Sequence, residues 1–188
     1  MDKYQIIYAD PPWHFGSKQL QKYNGNRFAS LESREYPTMP TSDICNLPIH
    51  TITDNDCALF LWVTDGHLED GLSVIKSWGF KYITVAFIWS KKTSSWKQVA
   101  TLGAWTMKNC EICLLATKGQ MLKYKKSNSE YQLVESIRNE HSAKPQEVRK
   151  RIEAISPTCD KIELFARQKV DGWSVWGNEV ESDIELGV

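Results

Sequence analysis

Four consecutive residues, Asp10-Pro11-Pro12-Trp13, follow directly on a short apolar run, Tyr4 to Ala9. At average composition this tetrapeptide arises by chance in roughly one chain of this length in several thousand, so it calls for a chemical reading. A carboxylate accepts hydrogen bonds without donating any. Two prolines have fixed φ angles and hold the carbonyl of Pro11 rigidly. Two such acceptors suit an exocyclic amine whose lone pair is delocalised into a ring, as at N6 of adenine. An acceptor on each N–H returns electron density to nitrogen and aims the lone pair at an electrophile. Trp13 offers a flat face on which a base can stack, so the set is preorganised for charge developing on nitrogen. The plain alternative is a strand-ending turn followed by a core tryptophan.

The elements that would position these residues alternate between strand and helix. Tyr4 to Ala9 reads as a buried strand that stops at the prolines. Residues 14–40 show no clean periodicity and read as a long surface loop. Thr41 or Ser42 can cap a short helix that ends near Leu47-Pro48. Cys57 to Val63 is a continuous apolar run, the mark of a strand buried on both faces. Residues 66–78 carry Leu68, Leu72, Ile75 and Trp78 at helical spacing, and Gly79 ends the helix. Ile83 to Trp89 and Glu111 to Thr117 read as strands, with a second long polar loop, 90–109, between them. Pro145 starts a helix that runs to about Ile155, with Glu147 and Arg151 spaced to pair. Lys161 to Ala166 and Trp173 to Trp176 are the last strands. The expectation is an α/β fold, one domain over 1–188, with a mostly parallel sheet flanked by helices.

Formal net charge is zero, but between Ser90 and Ser127 eight lysines face one acid, Glu111. That segment permits a phosphate-tracking face, while the neutral total argues against binding nucleic acid by bulk charge. A solvated lysine surface is the plain alternative. From about 178 to 188 the chain is an acidic tail in which Glu179, Glu181, Asp183 and Glu185 have no basic neighbour. No apolar run approaches the roughly 18 residues of a membrane span, and no basic-then-apolar leader opens the chain, so a cytoplasmic, membrane-free protein is expected. Five cysteines at irregular spacing argue against a disulfide framework. Cys110 and Cys113 form a C-x-x-C without a second pair at zinc spacing, so they read as buried thiols and no metal is expected. Trp62 and Trp89 read as core. Trp96 and Trp105 sit in a polar, basic loop, where base stacking and packing are both open.

Several segments match one family in one order: Tyr8-Ala9-Asp10-Pro11-Pro12-Trp13, Tyr36-Pro37-Thr38-Met39, Leu59-Phe60-Leu61-Trp62-Val63-Thr64, Ser142-Ala143-Lys144-Pro145, Lys161-Ile162-Glu163-Leu164-Phe165-Ala166-Arg167 and Trp176-Gly177-Asn178-Glu179. The chain thus resembles the DPPW-motif adenine-N6 methyltransferases, named for the seventy-kilodalton subunit of the RNA adenosine methyltransferase. The resemblance covers about Tyr4 to Glu181. It implies a Rossmann-like, S-adenosyl-L-methionine-dependent methyltransferase fold in permuted motif order, with the catalytic motif first and the strand that begins the cofactor site late, at Lys161 to Arg167. That order accounts for the missing G-x-G-x-x-G loop.

The same resemblance implies that Asp10, Pro11, Pro12 and Trp13 form the catalytic motif, and that Asp10, Ser142, Lys144, Glu163, Arg167, Asn178 and Glu179 bind the cofactor. Lys144 would meet its carboxylate, Glu163 and Arg167 its ribose region, and Asn178 and Glu179 its adenosine end. Glu179 departs from the family's Gln there, though a carboxylate still accepts from ribose hydroxyls. Gln168-Lys169-Val170 departs from the Pro-His-Asn of the eukaryotic RNA enzymes, and nothing is carried over to it. Tyr36 would belong to a loop that closes over the base. Viewed alone, Lys144, Glu163 and Arg167 are ordinary surface charges.

The implied reaction is direct methyl transfer to a base drawn out of its stack. Residues 14–40 and 90–109, with Lys91, Lys92, Lys97 and Lys108, are the candidates for nucleic-acid contact. DNA is favoured over RNA by analogy with small stand-alone bacterial and phage DNA modifiers. An RNA adenine methyltransferase is the alternative, followed by a catalytically silent nucleic-acid-binding partner and a small-molecule methyltransferase. A homodimer is left open.

Overall fold

Seven apolar segments meet in one sheet: β1 (Tyr4–Ala9), β2 (Thr53–Val63), β3 (Lys81–Lys92), β6 (Cys110–Lys118), β7 (Leu133–Ile137), β8 (Lys161–Leu164) and β9 (Ser174–Trp176). A separate ribbon holds β4 (Thr101–Leu102) and β5 (Met107–Lys108), and the α-helices of the described residues are α1 (Thr41–Asn46), α2 (Leu68–Ser77) and α3 (Gln146–Ile155). The computed structural model describes residues 3–14, 37–103, 105–138 and 143–187. Most of the loop expected over 14–40, together with Tyr36 and Ser142, lies outside them.

Strand order is β7-β3-β6-β2-β1-β8-β9. Every pairing is parallel except the two made by β6, so six strands share one direction and β6 alone is reversed. The expectation of a mostly parallel α/β sheet holds. The reversal follows from connectivity, because antiparallel neighbours need no crossover helix. β3 and β6 are joined by the excursion 93–109, within the segment 90–109 expected as a loop. β3 instead runs on to Lys92, and β4 pairs with β5 beyond it. β7 had no counterpart in the sequence reading. It is an edge strand with Leu133 and Ile137 exposed and only Val134 deeply buried, so its apolar signal is weak.

Packing on the two faces of the sheet fixes the position of β1. On one face Ile7, Ala9, Leu59, Leu61, Val63, Leu114, Ile162 and Leu164 pack with Ile44 of α1 and Val74 and Ile75 of α2. On the other, Tyr8, Phe60, Trp62, Trp89, Cys113 and Val134 pack with Val148 and Ile152 of α3. Each fully buried Leu or Ile contributes about 1.5–3 kcal/mol. The buried side of α2 differs from the one expected. Leu68 and Leu72 are exposed, while Gly71, Val74, Ile75 and then Trp78 face inward. Gly71 decides this, since a Cβ there would lie 2.4 Å from Val63 Cγ1, so only glycine lets the helix approach β2. Pro40, rather than Thr41 or Ser42, caps α1, and no side chain completes the cap.

β1 lies between β2 and β8 at the centre of the sheet, with α1 and α2 on one face and α3 on the other. Chain order changes direction there, and in open α/β sheets the crevice beyond the carboxyl ends of such strands holds ligands. Asp10 is the first residue past the end of β1.

Candidate active site

The turn after β1 is pinned on several sides. Trp13 N–H donates to Pro11 O at 2.9 Å and Met39 N–H to Pro12 O at 2.8 Å. Trp13 Nε1 donates to the Trp62 carbonyl at 3.1 Å, and its ring stacks on His67 with centroids 5.6 Å apart. Trp13 is only 5% exposed. One face of the ring expected as a stacking plane is covered by His67, and the ring anchors the turn to the end of β2. Pro11 O already accepts from Trp13, which leaves one lone pair for a further donor.

Asp10 keeps 25% of its side chain exposed and holds Lys144 Nζ at 2.8 Å. Lys144, two residues before α3, also reaches Glu111 at 3.1 Å and lies over the Trp62 ring. Glu111 stands near the start of β6, whose reversal brings it to the same rim, and its other oxygen receives Lys91. Burial raises the Asp10 carboxyl above the ordinary range, with Lys144 opposing and Glu111 adding to the rise. Burial works against the Lys144 ammonium, yet Asp10 and Glu111 override it and raise its pKa. Burial would raise Glu111 too, but Lys144 and Lys91 prevail and lower it. The result is a buried ammonium between two carboxylates, one of them partly open to solvent.

Of the residues expected at the cofactor, Asp10 and Lys144 come together on this rim. Glu163 does not present a free carboxylate. It is 6% exposed, and its two oxygens receive Arg149 Nε at 2.7 Å and Nη2 at 2.6 Å. The Arg149 guanidinium lies over the Tyr8 ring. Such a fork compensates a carboxylate buried beneath α3, and it engages both oxygens of the residue expected at the cofactor's ribose. Arg167 Nε lies 3.4 Å from Glu179 Oε1 just beyond β8 and β9, and Asn178 beside them is exposed. Between them the chain makes a constrained turn. Phe165 has φ 61°, a left-handed conformation that bulky residues rarely adopt, and a Cβ on Gly177 would meet Ala166 O at 2.2 Å.

The lysines expected on a phosphate-tracking face are largely compensated. Lys91 pairs with Glu111, Lys92 with Glu135 at 2.7 Å and Lys108 with Asp65 at 3.0 Å, all acids distant in sequence. Lys97 is exposed in the turn between Lys92 and Gln98. Trp96 and Trp105 stand 57% and 97% exposed. The tail is not unaccompanied either. Asp183 meets Lys169 at 2.9 Å and pairs through backbone and carboxylate with Val175 of β9. Cys113 is buried but Cys110 is exposed, correcting the reading of both as buried thiols. Among the described residues no cluster of His, Cys, Asp or Glu is grouped to hold a metal, and no helix is long and apolar enough to cross a membrane.

Sequence reading missed Glu111, Arg149 and His67. Glu111 had a signal, as the one acid in a lysine-rich stretch at a strand start. Arg149 and His67 had none, since Glu163 and Trp13, against which they are set, lie on other elements. A cavity of about 510 Å³ lined by Lys3, Tyr4, Asp160, Lys161, Trp173 and Ser174 opens at the opposite, amino-terminal edge of the strands, away from Asp10.

Residues 4–179 match the MT-A70 family model. The chain is 36% identical over 195 residues to the type II methyltransferase M.MunI of a Mycoplasma species, covering 98% of this chain and 81% of that protein. It is 28% identical over 185 residues to the human N(6)-adenosine-methyltransferase catalytic subunit METTL3, and 29% over 184 residues to a probable N(6)-adenosine-methyltransferase of rice. Both alignments cover 96% of this chain, but only 29% of the human and 23% of the rice protein.

Proposed function

The chain belongs to the MT-A70 family of methyltransferases, and from that membership we propose that it transfers the methyl group of S-adenosyl-L-methionine to the N6 amine of adenine in DNA. The observation that carries the reading is the Asp10 carboxylate, partly exposed at the tip of the central strand and held by Lys144. The donor set on this rim fits the cofactor. An ammonium has three donors, and two of those on Lys144 are engaged, which leaves one for a carboxylate. Arg167, Asn178 and Glu179 offer both donors and acceptors for ribose and adenine. When bound, the cofactor supplies a methyl group on a sulfonium.

Asp10 accepts one N–H of the amine, and the remaining lone pair of the Pro11 carbonyl accepts the other. So held, the amine would direct its lone pair at the methyl group that the sulfonium would supply, with the neutral thioether as leaving group. The nitrogen, then cationic and acidic, loses its proton to Asp10 or water. Most of the acceleration comes from alignment and fixed electrostatics. The excursion 93–109 contacts the polymer, with Lys97 near phosphate and exposed Trp96 and Trp105 against bases.

DNA is favoured because the 36%-identical relative is a bacterial type II methyltransferase that this chain nearly spans. The second reading, RNA, is supported by the relatives named as adenosine methyltransferases. Purified protein incubated with methyl-labelled cofactor and, separately, DNA and RNA decides between them after digestion to nucleosides. Label in N6-methyl-2′-deoxyadenosine is expected. Label only in the ribonucleoside favours RNA, and label in neither removes the proposal.

A further inference from the structure

Of the four charges in the row at the rim, Lys91 is farthest from the proposed reaction. It lies near the end of β3 with 18% of its side chain exposed, its ammonium on Glu111 and 4.9 Å from the Trp89 ring centroid. Glu111 holds Lys144, and Lys144 holds Asp10. The charges alternate along the row Lys91, Glu111, Lys144, Asp10 and sum to zero.

We propose that Lys91 is a positioning residue for the reaction: by neutralising Glu111 it leaves Lys144 shared with Asp10 and so keeps the Asp10 carboxylate ionised. The inference rests on the reading of Asp10 as the acceptor for the amine. Its physical basis is the sign of each contact. Without Lys91, Glu111 and Asp10 have only Lys144 between them, and the row carries a net negative charge. Glu111 then draws Lys144 away from Asp10 and repels the Asp10 carboxylate directly. Asp10 is faced by Lys144 from the loop before α3, by Glu111 and Cys113 from β6, by Arg149 from α3, by Glu163 from β8 and by Arg167 just after it. Arg149 and Glu163 neutralise each other in a closed pair, so the row that ends at Lys91 sets the remaining balance. Burial and Glu111 already raise Asp10 and Lys144 opposes them, so removing Lys91 adds to the raising side.

The alternative for Lys91 is the phosphate contact expected from sequence, and the two roles separate by measurement. The profile of kcat/KM against pH reports groups of the free enzyme. Lys91→Met should move its acid limb to higher pH, with the rate at a fixed acidic pH falling roughly tenfold for every pH unit the limb moves and recovering in more alkaline buffer. Lys91→Arg should restore the wild-type limb. A phosphate contact would instead raise KM for the polymer, flatten the salt dependence by about one ion and leave the limb in place. That second pattern, or a Lys91→Met enzyme indistinguishable from wild type, overturns the inference. If Lys91→Met does not fold, Lys91→Gln is measured in its place with the same two outcomes. Asp10→Asn is measured alongside. If it stays active, the reading of Asp10 fails and this inference with it. If it is inactive while the Lys91 variants keep the wild-type limb, the inference alone fails.

Discussion

At the scale of single residues, two carboxylates on neighbouring strands do opposite work. Asp10 is partly open and shares its cation, whereas Glu163 is closed and has both oxygens on one guanidinium. Glu163→Ala would leave Arg149 buried without its counter-charge, which costs about 3–5 kcal/mol. For a domain of this size that corresponds to a melting temperature lower by roughly 6–20 °C, measurable by calorimetry on the free protein. A variant that melts within about 2 °C of wild type would contradict the assignment of Glu163 as a structural partner. The resemblance placed Glu163 at the cofactor because its position matched. Its buried partner was hidden in Gln146–Ile155, which reads as a polar helix. Asp10 was legible without any partner, because an apolar strand ending in two prolines marks a rim position by itself.

At the scale of elements, the excursion between β3 and β6 departs furthest from the sequence reading. The lysines at the end of β3 and in the excursion look like a basic patch only until carboxylates from β6, β7 and the segment after β2 are placed beside Lys91, Lys92 and Lys108. Such long-range pairing leaves no trace in local composition. Two indoles stay outward along with Lys97: Trp105 is 97% exposed, and Trp96 is held at φ 60° within the turn that Thr93 N–H closes on the Lys97 carbonyl. Exposed indoles suit base faces, and stacking of this kind is worth about 1–3 kcal/mol per base. Trp105→Ala is therefore expected to weaken polynucleotide binding by roughly 5- to 150-fold in a titration, with cofactor affinity unchanged. Unchanged polymer affinity would remove the excursion from the interface. Apolar runs made β1, β2, β3 and β6 legible. β7 was not, because an edge strand buries only alternate residues and shows half a pattern.

At the scale of the whole molecule, equal numbers of acidic and basic residues leave no bulk charge to hold a polyanion, so the proposed function requires the rim and its neighbouring segments to supply the contacts. The sheet gathers onto that rim residues far apart in sequence: Asp10 after β1, Lys91 on β3, Glu111 on reversed β6 and Lys144 before α3. The reversal of β6 is what turns Glu111 toward Asp10, and no local sequence feature announces it. The measurement that bears most directly on the central claim compares wild-type protein with Asp10→Asn under single turnover on DNA, with the methylated nucleoside identified after digestion. Wild type should yield N6-methyl-2′-deoxyadenosine. At saturating cofactor Asp10→Asn should react about 10²–10³ times more slowly, the usual cost of losing one preorganised polar contact to developing charge. Methylation at another atom, or an Asp10→Asn rate close to wild type, would contradict the account.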